Sequence, residues 1–226
     1  MSDRPSANEA KQPSDATVYR LALYHCYLED LIFREAPDRI TSRQLADALD
    51  LKEETVRRDV SFVGGSNGRP GAGYQATRLL RSIAEFLGIS EECPIIKVGN
   101  AEMLAAVSVV FPATHYGVRP VACFTEEPLD VGKSIDGLAL QHIADITRLV
   151  PETGAKVAII ATAPAWVQVS VDLLQQAGVT GFLLLTPVAA IEHAENTTVH
   201  HIRMPCDIKS LACRCRVPIP EVYAQD

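Results

Sequence analysis

The sequence of 226 residues has few aromatic side chains, a single tryptophan and no long hydrophobic run. Its longest apolar stretches, such as "VAIIATAPAWV", are shorter than the roughly 18 residues that a membrane-spanning helix needs. The opening segment, "MSDRPSANEAKQPSDA", is polar and lacks the apolar core of a signal peptide. We therefore expect a cytoplasmic protein with no membrane partner, in which residues 1–17 form a disordered tail.

No C-x-x-C pair occurs among the six cysteines. In a cytoplasm we expect free thiols, mostly buried as small apolar residues. One segment, "HHIRMPCDIKSLACRC", concentrates five candidate metal or redox side chains, namely His200, His201, Cys206, Cys213 and Cys215. Their spacing matches no common zinc pattern, so we predict no metal site and keep thiol chemistry as an alternative.

The net charge of -7 argues against nonspecific binding of nucleic acid by the whole molecule. The charge is uneven, however, because five arginines face a single aspartate between Val56 and Arg81. A local basic patch on an acidic protein is typical of a sequence-specific DNA reader. A solvated helix face is the alternative interpretation.

Helical periodicity predicts several helices in the first ninety residues. Apolar residues recur at helical spacing in the first helix, at Leu21, Tyr24, Leu28 and Leu31. Pro37 is expected to end this helix. The next helix opens at Thr41, which forms a capping-box signature with Gln44. A later helix is predicted in "TRLLRSIAEFLGIS", and the domain, residues 18–90, is expected to end near Ser90.

The helix that opens at Thr41 and the helix predicted in the next segment form a helix-turn-helix pattern, and a wing follows it. In "KEETVRRDVSFVGG", Val56 and Val60 are one turn apart and are predicted to face inward, which turns the polar side chains outward. The segment "GAGY" is able to form the hairpin of a wing. The residues predicted to contact DNA are Lys52, Thr55, Arg57, Arg58, Ser61, Arg69, Gly73 and Tyr74. A helical bundle with a surface hairpin is the alternative.

From residue 91 to residue 204 apolar runs alternate with helical segments. The predicted strands are "PIIKVG", "RPVACF", "KVAIIAT" and "GFLLLT", and the predicted helices are "NAEMLAAVSVV", "ALQHIADITRLV" and "AWVQVSVDLLQQAG". This alternation predicts an α/β fold with a Rossmann-like, doubly wound parallel sheet that binds ligands at the carboxyl ends of its strands. Residues 205–226 are predicted to form a C-terminal helix and tail.

The order of these segments resembles the Rex family of bacterial redox-sensing repressors. The resemblance rests on "RLALYHCYL", "TVRRDVSFVG", "GAGY", "VGNAE", "DVGKSIDG", "GFLLLTPV" and "VHHIRMPCDIKSL", and it runs from about Val18 to Arg214. It implies a homodimeric repressor whose winged helices read an inverted-repeat operator in double-stranded DNA. It also implies an NAD(H)-binding Rossmann domain and C-terminal helices swapped between subunits.

The departures from the family fall in the ligand site. A dinucleotide-binding turn reads G-x-G-x-x-G, and the residues at its six positions here are Lys97, Val98, Gly99, Asn100, Ala101 and Glu102. We expect Glu102 to take the place of the phosphate at the helix start, with Lys97 contacting a phosphate or serving as the counter-ion of Glu102.

Two further departures lie outside this turn. The family's ribose-binding acid is replaced by Thr125, although Glu126 and Glu127 follow it. The charge at Arg203 is reversed relative to the family. Together with the altered turn, these changes are expected to weaken NAD(H) binding or to abolish it. Pro218 and Pro220 are expected to shorten the swapped helix.

Two other functions stay open at the level of sequence. One is a small NAD-dependent oxidoreductase, for which the candidate proton-transfer residues are His115, His142, His193, His200 and His201. The other is a DNA-binding protein that responds through Cys206, Cys213 and Cys215. The single tryptophan, Trp166, is expected beside the ligand pocket.

Overall fold

The apolar residues of the chain collect in separate cores on either side of Glu92. The computed structural model describes residues 13–34, 38–64, 73–89, 92–112, 116–188 and 190–215. The chain divides into two units, Met1–Glu92 and Cys93–Asp226. No helix among the described residues is long and apolar enough to cross a membrane.

The first unit is mainly helical. Its elements are α1 (Asp15–Phe33), β1 (Arg39–Ile40), α2 (Ser42–Ala48), α3 (Glu53–Phe62), β2 (Tyr74–Gln75) and α4 (Ala76–Leu87). The two short strands pair antiparallel. The predicted stripe of α1 is confirmed, because Leu21, Tyr24 and Leu28 are fully buried in the core of this unit.

The ends of the helices follow local capping chemistry. Ser14 caps α1, so the predicted tail, residues 1–17, overlaps the first turn of this helix. The capping box predicted at Thr41 is formed with Gln44. Pro37, predicted to end the first helix, lies outside the described residues, as do Ser90 and Arg69.

A buried ion pair ties α3 to α1. The carboxylate of Asp59 is 1% exposed and accepts two hydrogen bonds from Arg20, from Nε at 2.6 Å and from Nη2 at 2.8 Å. The hydroxyl of Tyr24 donates to the same carboxylate at 2.9 Å. Burial, followed by the hydrogen bond to Asp59, raises the pKa of the Tyr24 hydroxyl. These bonds fix the orientation of α3 on the core.

The second unit contains a seven-stranded sheet within the described residues, in the order β5-β6-β4-β3-β7-β8-β9. The strands are β3 (Cys93–Gly99), β4 (Val118–Thr125), β5 (Ser134–Ile135), β6 (Leu138–His142), β7 (Val157–Ala161), β8 (Gly181–Leu184) and β9 (Thr198–His201). The helices are α5 (Ala101–Val110), α6 (Ile146–Leu149), α7 (Pro164–Gln176) and α8 (Met204–Arg214). All strand pairs are parallel except β5–β6.

The strand order reverses at β3, which confirms the predicted doubly wound sheet. The chain adds β4 and β6 on one side of β3 and then crosses to add β7, β8 and β9 on the other. Helix α5 covers one face of the sheet, and α6 and α7 cover the opposite face. Such a reversal leaves a crevice outside the carboxyl ends of the two central strands, β3 and β7.

The prediction of a helix in "ALQHIADITRLV" is wrong for the first half of this segment. Leu138–His142 forms β6, and α6 is confined to Ile146–Leu149. The physical reason is the hairpin with β5, whose two-residue turn is Asp136-Gly137, both with positive φ. An Asp-Gly turn of this kind specifies a tight β-hairpin, and it overrides the helical propensity of the residues that follow.

The ion pair between Arg20 and Asp59 generates a prediction about stability. Replacing Asp59 by Asn should lower the free energy of unfolding by about 3 kcal/mol, because it leaves a partly buried guanidinium without its counter-ion. Urea unfolding followed by circular dichroism measures this loss. The matched control is Glu54→Gln, an exposed position on the same helix, which should change stability by about 0.5 kcal/mol or less. Equal effects of the two changes would refute the structural role of the pair.

Candidate functional site

The turn between β3 and α5 lies at the crevice. Asn100 caps α5, and its side-chain oxygen accepts from the amide of Met103 at 2.8 Å. Gly99 lies against β7, and a Cβ at this position would be 2.5 Å from the carbonyl oxygen of Ala161. A side chain therefore does not fit at Gly99 unless the two central strands separate. Val98 is fully buried in the core.

Lys97 lies beneath α5, away from the start of this helix. It is fully buried, with Nζ 2.6 Å from Oδ2 of Asp136 and 3.0 Å from the hydroxyl of Ser108. The predicted pairing of Lys97 with Glu102 is therefore wrong, and its ammonium is committed to the β5–β6 hairpin instead of a phosphate. Lys97 joins α5, β3 and this hairpin in one polar cluster, in which the lysine is buried and Asp136 is partly exposed.

The carboxylate at the start of α5 belongs to Asp130. Its Oδ2 accepts from the backbone amide of Ala101 at 2.7 Å, and its Oδ1 lies 2.5 Å from Nζ of Lys133. The Ala101 amide and then the Lys133 ammonium lower the pKa of this carboxyl. Glu102, which was predicted to fill this place, is exposed. Sequence reasoning missed Asp130, although the loop "EEPLDVGK" carries an aspartate three residues before a lysine.

The end of β4 also differs from the expectation. Thr125 is fully buried, and its hydroxyl oxygen accepts from the amide of Glu127 at 3.1 Å, so it shapes the loop. Glu126 instead reaches across the end of β3 to the end of β7, where its Oε1 accepts from the hydroxyl of Thr162. The amide of Ala163, at the start of α7, lies 3.5 Å from the same oxygen. The second oxygen of Glu126, Oε2, is buried and has no hydrogen-bond partner among the described residues.

Trp166 lies where it was expected, in the first turn of α7 at the carboxyl end of β7. Its side chain is 41% exposed. Ala163, which caps this helix, faces the carboxylate of Glu126. The turn of α7 that carries Trp166 therefore begins at the crevice, and the indole is open to solvent, which suits it as an optical reporter.

The exposed face of α3 carries the predicted DNA-binding residues. Val56 and Val60 are buried, as predicted, and Arg57, Arg58 and Ser61 are exposed, with Thr55 half-buried. The guanidinium of Arg57 is held by Glu53 at 2.5 Å and by the hydroxyl of Ser42 at 3.2 Å. Arg58 is therefore the better placed of the two arginines for a partner.

The remaining predicted DNA contacts flank α3. Lys52 is the exposed N-cap of this helix. Tyr74 is half-buried against the core of the first unit, and burial raises the pKa of its hydroxyl. Gly73 has a φ of +67° and its carbonyl accepts from Arg39 at 3.0 Å. Arg69 lies outside the described residues.

The thiols are distributed differently from the prediction, since most are not buried. Among the cysteines, Cys123 alone is buried, and burial raises the pKa of its thiol to about 11. This thiol is therefore a poor nucleophile at neutral pH. Four cysteines are exposed, namely Cys26, Cys206, Cys213 and Cys215. No group of three or more metal-ligating side chains occurs in the part of the chain that the structure describes.

The predicted proton-transfer histidines are spread over several elements. His142 uses its Nδ1 to accept from the amide of Ala144, which caps a short helical turn. His200 and His201 lie on the edge strand β9, and His193 lies in the loop before it. His115 lies outside the described residues. The histidines of the described chain therefore form no catalytic arrangement with a carboxylate at the crevice.

A helix-turn-helix unit joined to a Rossmann-type unit defines the class of ligand-responsive DNA-binding proteins. Residues 13–61 match a family model described as "Putative DNA-binding protein N-terminus". The chain is 31% identical over 177 residues to the redox-sensing transcriptional repressor Rex of Roseiflexus sp. (strain RS-1), an alignment that covers 78% of this chain and 80% of that protein. It is also 31% identical to Rex of Streptomyces griseus, covering 92% of this chain and 81% of the relative.

These similarities show that the chain belongs to the Rex family of redox-sensing transcriptional repressors. It is therefore a DNA-binding repressor and not an enzyme. Among solved structures, RSP, a Rex-family repressor, has a TM-score of 0.76 and 19% identity, covering 91% of this chain and 95% of RSP. RSP in complex with β-NAD+ and operator DNA also has a TM-score of 0.76, with 20% identity and coverage of 91% and 94%. At these identities the likeness establishes the fold.

The ion pair between buried Lys97 and partly exposed Asp136 generates a prediction that separates the effect of charge from the effect of packing. Asp136 has a φ of +52°, which asparagine also tolerates, so Asp136→Asn removes the charge without disturbing the turn. This change should cost about 3 kcal/mol of stability because it strands a buried ammonium. The double variant Lys97→Met with Asp136→Asn should recover most of that loss, as measured by urea unfolding with Trp166 fluorescence. A double variant as unstable as the single one would contradict the ion pair.

Proposed function

We propose that this chain is a cytoplasmic homodimer that represses transcription according to the NADH/NAD+ ratio. The dinucleotide binds in the crevice above β3 and β7, and α3 with the wing binds an inverted-repeat operator. The observation that supports dinucleotide binding is the buried Oε2 of Glu126 at the crevice, which has no hydrogen-bond partner among the described residues. A buried carboxylate oxygen without a donor is costly, and a ribose hydroxyl would satisfy it.

The residues around the crevice fit a dinucleotide, with roles that differ from those predicted. Gly99 and Asn100 form the turn, the start of α5 at Ala101 would face the pyrophosphate, and Glu126 would accept from the adenosine ribose. Lys97, Val98 and Thr125 support the site from within the protein. The nicotinamide ring of the bound dinucleotide supplies the signal, since its charge differs between NADH and NAD+.

Helix α8 supports the proposed dimer. Its described residues include no buried side chain, and an apolar stripe at helical spacing is exposed along it, at Met204, Ile208 and Leu211. An exposed apolar stripe of this kind is typical of a helix that docks into a partner. A second subunit is the natural partner for a family whose operators are inverted repeats, because a two-fold protein reads two half-sites.

A thiol-responsive repressor is the second candidate function. The observation that favours it is the exposure of all three cysteines of the C-terminal segment, Cys206, Cys213 and Cys215. Oxidation on α8 would disturb the proposed dimer contact and thereby DNA binding. Diamide added to an operator-binding assay distinguishes the two candidates, because only the thiol-responsive protein loses affinity while remaining indifferent to NADH.

Titration of the protein with NADH tests the sensor. Fluorescence of Trp166 should be quenched saturably by energy transfer to the reduced nicotinamide, and NAD+ should produce no such transfer because it lacks that absorption. Calorimetry on the wild type and on Trp166→Phe, which should bind equally well, is the control. Absence of both quenching and heat with NADH and with NAD+ would refute NAD(H) sensing.

The DNA half is tested by Arg58→Ala, using an inverted-repeat duplex selected by the wild-type protein from a random pool. Loss of a phosphate or base contact should weaken binding about tenfold or more at fixed salt, with the dimer unchanged in gel filtration. Arg148→Ala is the matched control, since Arg148 is an exposed arginine of the second unit, paired with Asp145. Unaltered affinity of Arg58→Ala would count against α3 as the reading helix.

A further inference from the structure

The start of α5 is held by a carboxylate of the chain itself. Oδ2 of Asp130 accepts from the Ala101 amide at 2.7 Å. The side chain of Asp130 is held in place from its other end, where Oδ1 lies 2.5 Å from Nζ of Lys133. Asp130 is buried, so its carboxylate is largely shielded from water at this contact. The carboxylate thus uses a backbone donor that a Rossmann turn ordinarily presents to phosphate oxygens.

We propose that Asp130 is an internal competitor for the pyrophosphate of the ligand and thereby sets the affinity of the crevice for dinucleotides. This inference rests on the proposed function. The Ala101 amide has a single hydrogen to donate, so a phosphate oxygen and Oδ2 of Asp130 cannot both receive it at full strength. Two anions at one helix start also repel each other.

Ligand binding then becomes an exchange of anions. The pyrophosphate takes the Ala101 amide, and Asp130 withdraws with its loop, the segment between β4 and β5. Lys133 is 56% exposed and is released from Asp130 in the same step, so its ammonium becomes available to the incoming phosphate. The cost of breaking the two contacts of Asp130 is subtracted from the affinity for any ligand that carries a phosphate at this position.

Asp130 and Glu102 make different predictions about how salt affects the binding of a phosphate at the start of α5. Glu102 is in the first turn of α5 and carries the same charge, but it is exposed to solvent. Its repulsion of a phosphate is therefore screened by water and salt. A specific competitor should act through contact and persist at high salt, whereas a general charge effect should fade as salt is added.

The experiment compares Asp130→Asn, Asp130→Ala and Glu102→Gln with the wild type, using calorimetry at two salt concentrations. The probes are NADH, ADP-ribose, which keeps the pyrophosphate, and adenosine, which lacks it. Asparagine removes the charge while still accepting from Ala101, and alanine removes both. Affinity for NADH and for ADP-ribose should therefore rise in the order Asp, Asn, Ala, by about tenfold overall. Adenosine should bind all three alike, within about twofold, and Glu102→Gln should gain less than about threefold, and only at low salt.

The outcomes separate this inference from the proposed function. If wild type binds NADH and the Asp130 variants bind it no better, the competitor is refuted and the sensor stands. If adenosine gains as much as NADH, competition with the pyrophosphate is refuted as well. If neither wild type nor the Asp130 variants bind NADH or ADP-ribose, both the sensor and the competitor fail. Should Asp130→Ala not fold, Asp130→Asn decides, because asparagine is still able to accept the hydrogen bond from the Ala101 amide.

A second measurement needs no ligand. In wild-type protein the amide resonance of Ala101 should move as Asp130 is protonated at acidic pH, since that amide donates to its carboxylate. In Asp130→Asn this titration should disappear. An Ala101 amide that titrates identically in both proteins would show that Asp130 does not occupy the start of α5 in solution, and the inference would fall.

Discussion

The contact of Gly99 with the carbonyl of Ala161 is the constraint on which the second unit depends. It lies where β3 and β7 pair, at the point where the strand order reverses, and the crevice is located at these two strand ends. The start of α5, the loop after β4 and the first turn of α7 meet around these two strand ends through the hydrogen bonds of Asp130 and Glu126. A family member can therefore lose the outer glycines of its motif and keep the fold, provided that this central glycine is retained.

In both units an ion pair with one buried member holds a helix in place. Asp59 joins α3 to α1, and Lys97 joins α5 to the β5–β6 hairpin through Asp136. Such pairs add little net stability over apolar packing, but they admit one orientation, because displacement strands a charge. In each unit the helix so oriented is one that we propose to face a partner, DNA for α3 and the dinucleotide for α5. Rigid placement is what a recognition surface requires.

Sequence reasoning predicted the fold well and the ligand site poorly, for different physical reasons. Periodicity and capping are local, so the stripe of α1 and the capping box at Thr41 were readable, and strongly apolar strands revealed the doubly wound sheet. The lysine in the altered turn was assigned to the nearest acid along the chain, Glu102, because spacing alone does not show that a strand turns its side chain beneath a helix. Asp130 was invisible for the same reason, since its partner, Ala101, is distant in sequence and offers only a backbone amide.

Internal contacts in the crevice change what a redox sensor measures. A site that is occupied by its own carboxylate binds ligand with the intrinsic affinity multiplied by the fraction of molecules in which that carboxylate has withdrawn. If Asp130 competes with the pyrophosphate as proposed, its contact with Ala101 shifts the NADH concentration to which the repressor responds. Under the proposed competition, this contact raises the ligand concentration at which the two states of the protein are distinguished, because the hydrogen bond between Asp130 and Ala101 must be exchanged for one made by the ligand.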